Sequence, residues 1–165
     1  TGASVTLTAL PDAGMVFTGW TGACTGTGTC TVAMTEARSV GASFAAALAL
    51  TVVPAGTGTG TVASAPAGID CGSTCTADFA EAGTVVLTAT AASGSVFAGW
   101  SGAGCTGTGT CTVTMDAAKS VTATFDLLNR LTVTRSGSGT GAVSSAPAGI
   151  DCGSTCFFNF APSAS

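Results

Sequence analysis

The residues with the most chemistry in this chain are its eight cysteines, which come in two spacings. Cys24/Cys30 and Cys105/Cys111 stand six apart, whereas Cys71/Cys75 and Cys152/Cys156 stand four apart. A thiol pair at either spacing has two fates. Oxidised, it closes a short Gly/Ser/Thr loop; as thiolates, two such pairs are natural zinc ligands. The spacings differ from the C-x2-C knuckles of zinc sites, and the chain contains no His. Local disulfides formed in an oxidising compartment are therefore the expectation. Chain entropy assigns each short loop only about 2 kcal/mol. Such bonds stiffen turns rather than tie distant elements together.

Other chemistry finds little to work with. Without His or Tyr, neither a Ser-His nor a Cys-His pair can be assembled, so no catalytic residue, metal or cofactor is expected. Asp70, Asp78, Glu81 and Asp116 lie in or beside turn signals, where capping and solvation explain them. Asp70 and Asp151 each precede a cysteine and offer an oxygen to calcium, but one carboxylate per loop favours a plain Asx turn. Gly56-Thr-Gly58-Thr-Gly60 and Gly137-Ser-Gly139-Thr-Gly141 look like phosphate loops. A dinucleotide loop opens a helix, whereas strand patterns follow these, so they are expected to be hairpin turns. Trp20 and Trp100 are either sugar-stacking platforms or the largest core pieces of a thin core. Core packing is the preferred reading.

Composition narrows the class. Charged residues are 7% of the 165, against roughly 25% in ordinary globular proteins, so Thr, Ser and Gly must supply solubility. The apolar share of 46% is swollen by Ala. A net charge of −4 with four basic residues excludes the basic stripe of a nucleic-acid binder. No apolar run approaches the roughly 20 residues of a membrane helix; the longest, 44–53, is short and rich in Ala. The chain shows no signal-peptide pattern, which fits a mature chain or an excised piece.

The elements that position these residues repeat. Asp70-Cys-Gly-Ser-Thr-Cys75 returns as Asp151-Cys-Gly-Ser-Thr-Cys156, 81 residues on, and Val16-Phe-Thr-Gly-Trp20 returns as Val96-Phe-Ala-Gly-Trp100. Alternating Val, Thr, Leu and Phe between Gly, Pro, Ser and Asp predict strands at 48–53, 60–65, 76–80, 84–91, 96–100, 111–115 and 120–126. In 84–91, Val85, Leu87 and Ala89 share the core face and Thr coats the other. Asp116-Ala-Ala-Lys119 is expected to form one helical turn capped by Asp116, with Thr35-Glu-Ala-Arg38 as its counterpart. Residues 45–48 and 127–130 read as links between units.

The phase of the repeat is unusual. Residues 1–46 are the second half of a unit, 47–126 a complete unit, and 127–165 the first half of another. Joined end to end, tail and head would place Trp20 29 residues after Cys156, against 25 from Cys75 to Trp100. Three arrangements fit: a piece of a longer array, a subunit whose tail half is completed by the next molecule's head half, or a chain whose own ends close.

The combination of Leu131-Thr-Val-Thr, Ser145-Ala-Pro-Ala-Gly-Ile-Asp-Cys, Val96-Phe-Ala-Gly-Trp100 and Cys111-Thr-Val-Thr-Met115 resembles the divergent internalin-B-type B-repeats, relatives of the Listeria–Bacteroides repeats. The resemblance covers nearly the whole chain. It implies a small β-rich, β-grasp-like module of bacterial secreted and surface proteins, serving as stalk, spacer or adhesive part and carrying no catalytic residues.

Together these features predict an all-β or β-rich tandem repeat of antiparallel sheets and local disulfides, located outside the cell or on a bacterial surface. Its expected role is to build a fibre, stalk or adhesin, by head-to-tail strand complementation; a carbohydrate-binding module or a passive spacer is the alternative. Phe17, Trp20, Phe44, Phe79, Phe97, Trp100, Phe125 and Phe160 are the expected core aromatics. Thr76-Ala-Asp-Phe79 becomes Phe157-Phe-Asn-Phe160 in the tail. That makes Phe157 and Phe158 candidate assembly contacts, with local repacking as the plain alternative. Partners are a second copy, with a surface glycan or protein receptor as a further candidate. O-linked glycans on Thr fit the composition, whereas Asn129 and Asn159 lack the Asn-linked acceptor pattern.

Overall fold

The computed structural model describes residues 2–153 and 156–162. Thr1, Ser154, Thr155 and residues 163–165, and with them the expected junction between Ser165 and Thr1, lie outside the described residues. All secondary structure among the described residues is strand and turn. The head carries β1 (Ser4–Leu7), β2 (Met15–Gly22) and β3 (Cys30–Ala33), and then β4 (Val40–Ala55) runs on into the central unit. There follow β5 (Gly60–Ala65), β6 (Asp70–Cys71), β7 (Thr76–Ala80), β8 (Thr84–Ala91), β9 (Ser95–Ser101), β10 (Cys111–Thr114) and β11 (Lys119–Leu127). The tail adds β12 (Asn129–Thr132) and β13 (Phe157–Phe160). All seven strands expected in the central unit form, and the short β6 is an addition.

The central unit is two four-stranded sheets, ordered β9-β11-β4-β7 and β10-β8-β5-β6. Alternation decides their faces: in β8, Val85 and Leu87 are buried while Thr84, Thr88 and Thr90 are exposed. Leu50, Val52, Val121 and Phe125 of one sheet meet Val62, Val85, Leu87 and Val113 of the other in one core. Pairing is antiparallel throughout this unit except for β4 with β11, which run parallel from Leu50/Lys119 to Ala55/Thr124. The exception follows from closure: the unit's first strand and its last lie side by side, pointing the same way.

The Phe-x-Gly-Trp motif has a structural cause. Strict alternation would send Phe97 and Trp100 to opposite faces. β9 instead bulges at Ala98, pairing Phe97 with Phe125 and Gly99 with Thr124. Gly99 carries φ +143°, a conformation that suits glycine. The phase shift puts both aromatics on the core side, with ring centroids 4.9 Å apart. The head repeats the device, with Phe17 and Trp20 also 4.9 Å apart.

β4 is a single strand serving two units. Over Val40–Ala46 it pairs with β2, and over Ala47–Thr51 with β7. Residues 45–48 are therefore strand, and at the other boundary only Leu128 separates β11 from β12.

The expected helical turns do not form. β10 ends at Thr114 and β11 begins at Lys119, which leaves too few residues for a capped helix. Asp116 instead pairs with the Lys119 ammonium at 2.8 Å, and Arg38 with Glu36 at 2.9 Å. The hydrogen bond from Lys119 holds the Asp116 carboxyl below its ordinary range. Any stability from this pair is present above the unfolded-state pKa and is lost as pH falls through the depressed one. Lys119→Ala should return the Asp116 titration to the ordinary carboxylate range, as followed by carboxyl NMR.

A Cβ on Gly60 would run into the fully buried Phe125 ring. Gly60→Val is expected to cost the central unit roughly 1–3 kcal/mol in denaturant unfolding. An unchanged midpoint would mean that β5 and β11 are not packed as described.

Candidate assembly surface

The cysteines close as four local bridges: Cys24–Cys30, Cys71–Cys75, Cys105–Cys111 and Cys152–Cys156. The longer loops do more than turn the chain. Trp100 donates its backbone N–H to the Gly107 carbonyl at 2.9 Å and its indole Nε1–H to the Gly109 carbonyl at 2.6 Å. Both acceptors lie on the loop that Cys105–Cys111 closes. Trp20 is held identically by Gly26 and Gly28, at 2.9 and 2.7 Å, on the Cys24–Cys30 loop. The alternating Thr-Gly loop sequence thus offers two carbonyls of one phase to one Trp. Both indoles are buried with their polar edge satisfied, so neither presents a face on which a sugar can stack.

Other candidate groups have local partners. Asp151 Oδ1 accepts from the Gly153 N–H at 3.3 Å, an Asx turn. In both repeats a Ser hydroxyl spans the Pro turn: Ser64 donates to the Pro66 carbonyl and accepts from the Ile69 N–H, as Ser145 does with Pro147 and Ile150. The expected hairpin at Gly56–Gly60 does not form: the loop crosses from β4 in one sheet to β5 in the other, and it is pinned by the Gly58 N–H, which donates to the Phe125 carbonyl at 2.8 Å. Among the described residues, no group of three or more Cys, Asp or Glu is placed to hold a metal.

The aromatics differ in burial. Trp20, Phe79, Trp100 and Phe125 are buried, while Phe17, Phe97 and Phe160 are half-buried. Phe44, expected in the core, is not there. It is 46% exposed, whereas its counterpart Phe125 is 1% exposed. The cause is missing cover. Phe125 lies under Gly60 of β5, and the head half contains no such strand. Phe44 packs on Phe17, with ring centroids 5.4 Å apart.

The same contrast recurs in residues that inspection of motifs passed over. Leu50 is 0% and Val62 1% exposed, but one period later Leu131 is 51% and Val143 40% exposed. Val5 and Met34 are exposed where Val85 and Met115 are buried. The signal that finds them is the period itself: each aligns with a core residue and lies in a half-unit. In the tail, Phe158 packs on Phe160 with centroids 4.9 Å apart, and the exposed Phe157 carries the Arg130 guanidinium 4.2 Å above its ring. Most of the exposed large apolar residues thus lie on the two half-units.

Replacing Cys105 and Cys111 together by Ala should cost about 2 kcal/mol. In a Trp20→Phe background it should also shift the Trp100 emission to the red. Unchanged emission would show that the loop holds the indole without its bridge.

A family model, the divergent InlB B-repeat domain, matches residues 1–48 and again 48–128. No curated protein and no solved structure matches the chain. The two matched stretches meet inside β4, where the strand passes from β2 to β7. This is a repeat domain of surface proteins and not a known enzyme family. With its strands, bulged Phe-x-Gly-Trp motif and repeated period, the chain belongs to the divergent InlB B-repeat domain family.

Proposed function

We propose that this chain is a structural segment of a bacterial surface stalk or fibre, holding position and length rather than performing a reaction. Family membership and the disulfides support an extracellular or surface location. The observation that carries the proposal is β4. Two units joined by a flexible linker would swivel, but here one strand is hydrogen-bonded into both. The Ala47 N–H donates to the Gly14 carbonyl of the head, and the Glu81 N–H to the Ala46 carbonyl, both at 2.8 Å. Bending at this boundary requires breaking sheet hydrogen bonds. The bridged loops stiffen each unit further, and the Thr-coated faces keep an almost uncharged surface wet.

Amide hydrogen exchange tests this directly. Ala47 and Glu81 should be protected to the same order as Val52, whose N–H donates to the Cys75 carbonyl inside the central unit. Fast exchange at Ala47 and Glu81 beside a protected Val52 would reveal a hinge and overturn the stalk.

A further inference from the structure

We infer that the central unit bears tension along the chain, with the β4–β11 pair acting as a clamp loaded in shear. The inference deepens the structural role above and rests on it.

Connectivity sets the direction of the load. Tension enters the central unit through β4, which comes directly from the head, and leaves through β11, which one residue later gives way to β12. These two strands lie side by side and run parallel. Pulling β4 back towards its start and β11 on towards its end slides one past the other. The ladder from Leu50/Lys119 to Ala55/Thr124 is then strained along its whole length at once. Were the pair antiparallel, the same pull would act at one end and open the bonds one after another.

Sliding meets further obstacles. Because the pleat alternates, the first register that restores the facing lies two residues away, about 7 Å along the strand. Such a slip drags Phe125 away from Gly60, whose missing Cβ makes room for the ring. The core side of the ladder is closed to solvent: Leu50, Val52, Val121 and Ala123 are at most 2% exposed. Neither strand is an edge, since β7 flanks β4 and β9 flanks β11. Beyond the ladder, the loop after β4 is fastened to the end of β11. Gly58 N–H donates to the Phe125 carbonyl at 2.8 Å, and Leu127 N–H to the Thr57 hydroxyl at 3.2 Å. Thr57 N–H donates to the Asp126 carboxylate at 3.4 Å.

The covalent bridges do not carry this load. Cys71–Cys75 and Cys105–Cys111 each close a local loop, and neither joins β4 to β11. They set instead how much chain is released when the clamp opens.

The same unit contains the opposite geometry. β9 and β11 are antiparallel, with Ser95 facing Leu127, and the Leu128 N–H donates to the Gly94 carbonyl at 2.8 Å. A pull between Gly94 and the chain beyond Leu128 therefore peels that ladder from one end.

Single-molecule force spectroscopy on the 165-residue chain compares the two directions. One arrangement carries handles at both chain ends. The other moves one handle to the Gly94 turn, where a Cβ would meet nothing within 4 Å. Pulled end to end, the central unit should open in a single step of roughly 20–25 nm, lengthened by roughly 3–4 nm when its two bridges are reduced. The force of that step should be about three times that of the Gly94 arrangement or more, because the ladder is loaded together in one and bond by bond in the other. Equal forces in the two arrangements overturn the inference, as does the absence of a single step that lengthens on reduction. Amide exchange at Ala47 and Glu81 is read without load. A hinge there would overturn the stalk and leave the two forces unequal, whereas equal forces would overturn the clamp and leave that protection intact.

Discussion

The parallel contact between β4 and β11 is the constraint on which the rest depends. It joins the first strand of a unit to its last, so neither half of the core is covered until the chain between them has folded. A unit of this size has little apolar area to spare. Phe125 reaches full burial only because β5 lies across it, and that strand is supplied by residues far earlier in the chain. Remove either half and the remaining sheets keep their internal pairings but expose the side chains meant for the interior. Head and tail show the two results: the head retains a small core of Trp20, Cys30 and Val32, while the tail keeps Ile150 and Cys152 buried.

Within that frame the bridged loops act as clamps on single aromatic residues. A disulfide across so short a span stabilises modestly by chain entropy. Its larger consequence here is geometric. The loop carbonyls are held where a buried indole needs an acceptor, which removes the cost of an unpaired N–H in an apolar setting. The cysteines also fill space themselves, since Cys71, Cys105 and Cys111 lie in the central core. A chain poor in large apolar residues thereby gains rigid core pieces from its loops.

Much of this was legible in the sequence because it is written locally. Period-two alternation marked the strands of the central unit, Gly and Pro marked their ends, and short cysteine spacings marked the loops. The features that escaped depend on partners distant in the chain. Phe44 looked like a core residue because its type and phase match Phe125, but burial is conferred by a strand that the head half does not contain. Residues 45–48 looked like a link because Ala carries little strand preference; the informative sign was the absence of any turn residue there. The bulge at Ala98 was hidden by the same rule that revealed the strands, since alternation separates Phe97 from Trp100. Asp116 has the right side chain for a helix cap but no room for a helix, and Lys119 takes it as an ion-pair partner.

The unbroken β4 also limits how such repeats can change in length. Val40 packs against the head core and Leu48, Leu50 and Val52 against the central one, all on even-numbered positions of one pleated strand. Inserting a single residue between Val40 and Leu48 would turn one of the two cores inside out, because side chains alternate faces with period two. The loops bear no such rule: the two repeats differ by one residue between Trp and Cys, four intervening positions in Trp100–Cys105 against three in Trp20–Cys24. Across unit boundaries only even-numbered insertions and deletions preserve the facing, so a gene encoding this array can lengthen its loops freely but can edit its junctions only in codon pairs.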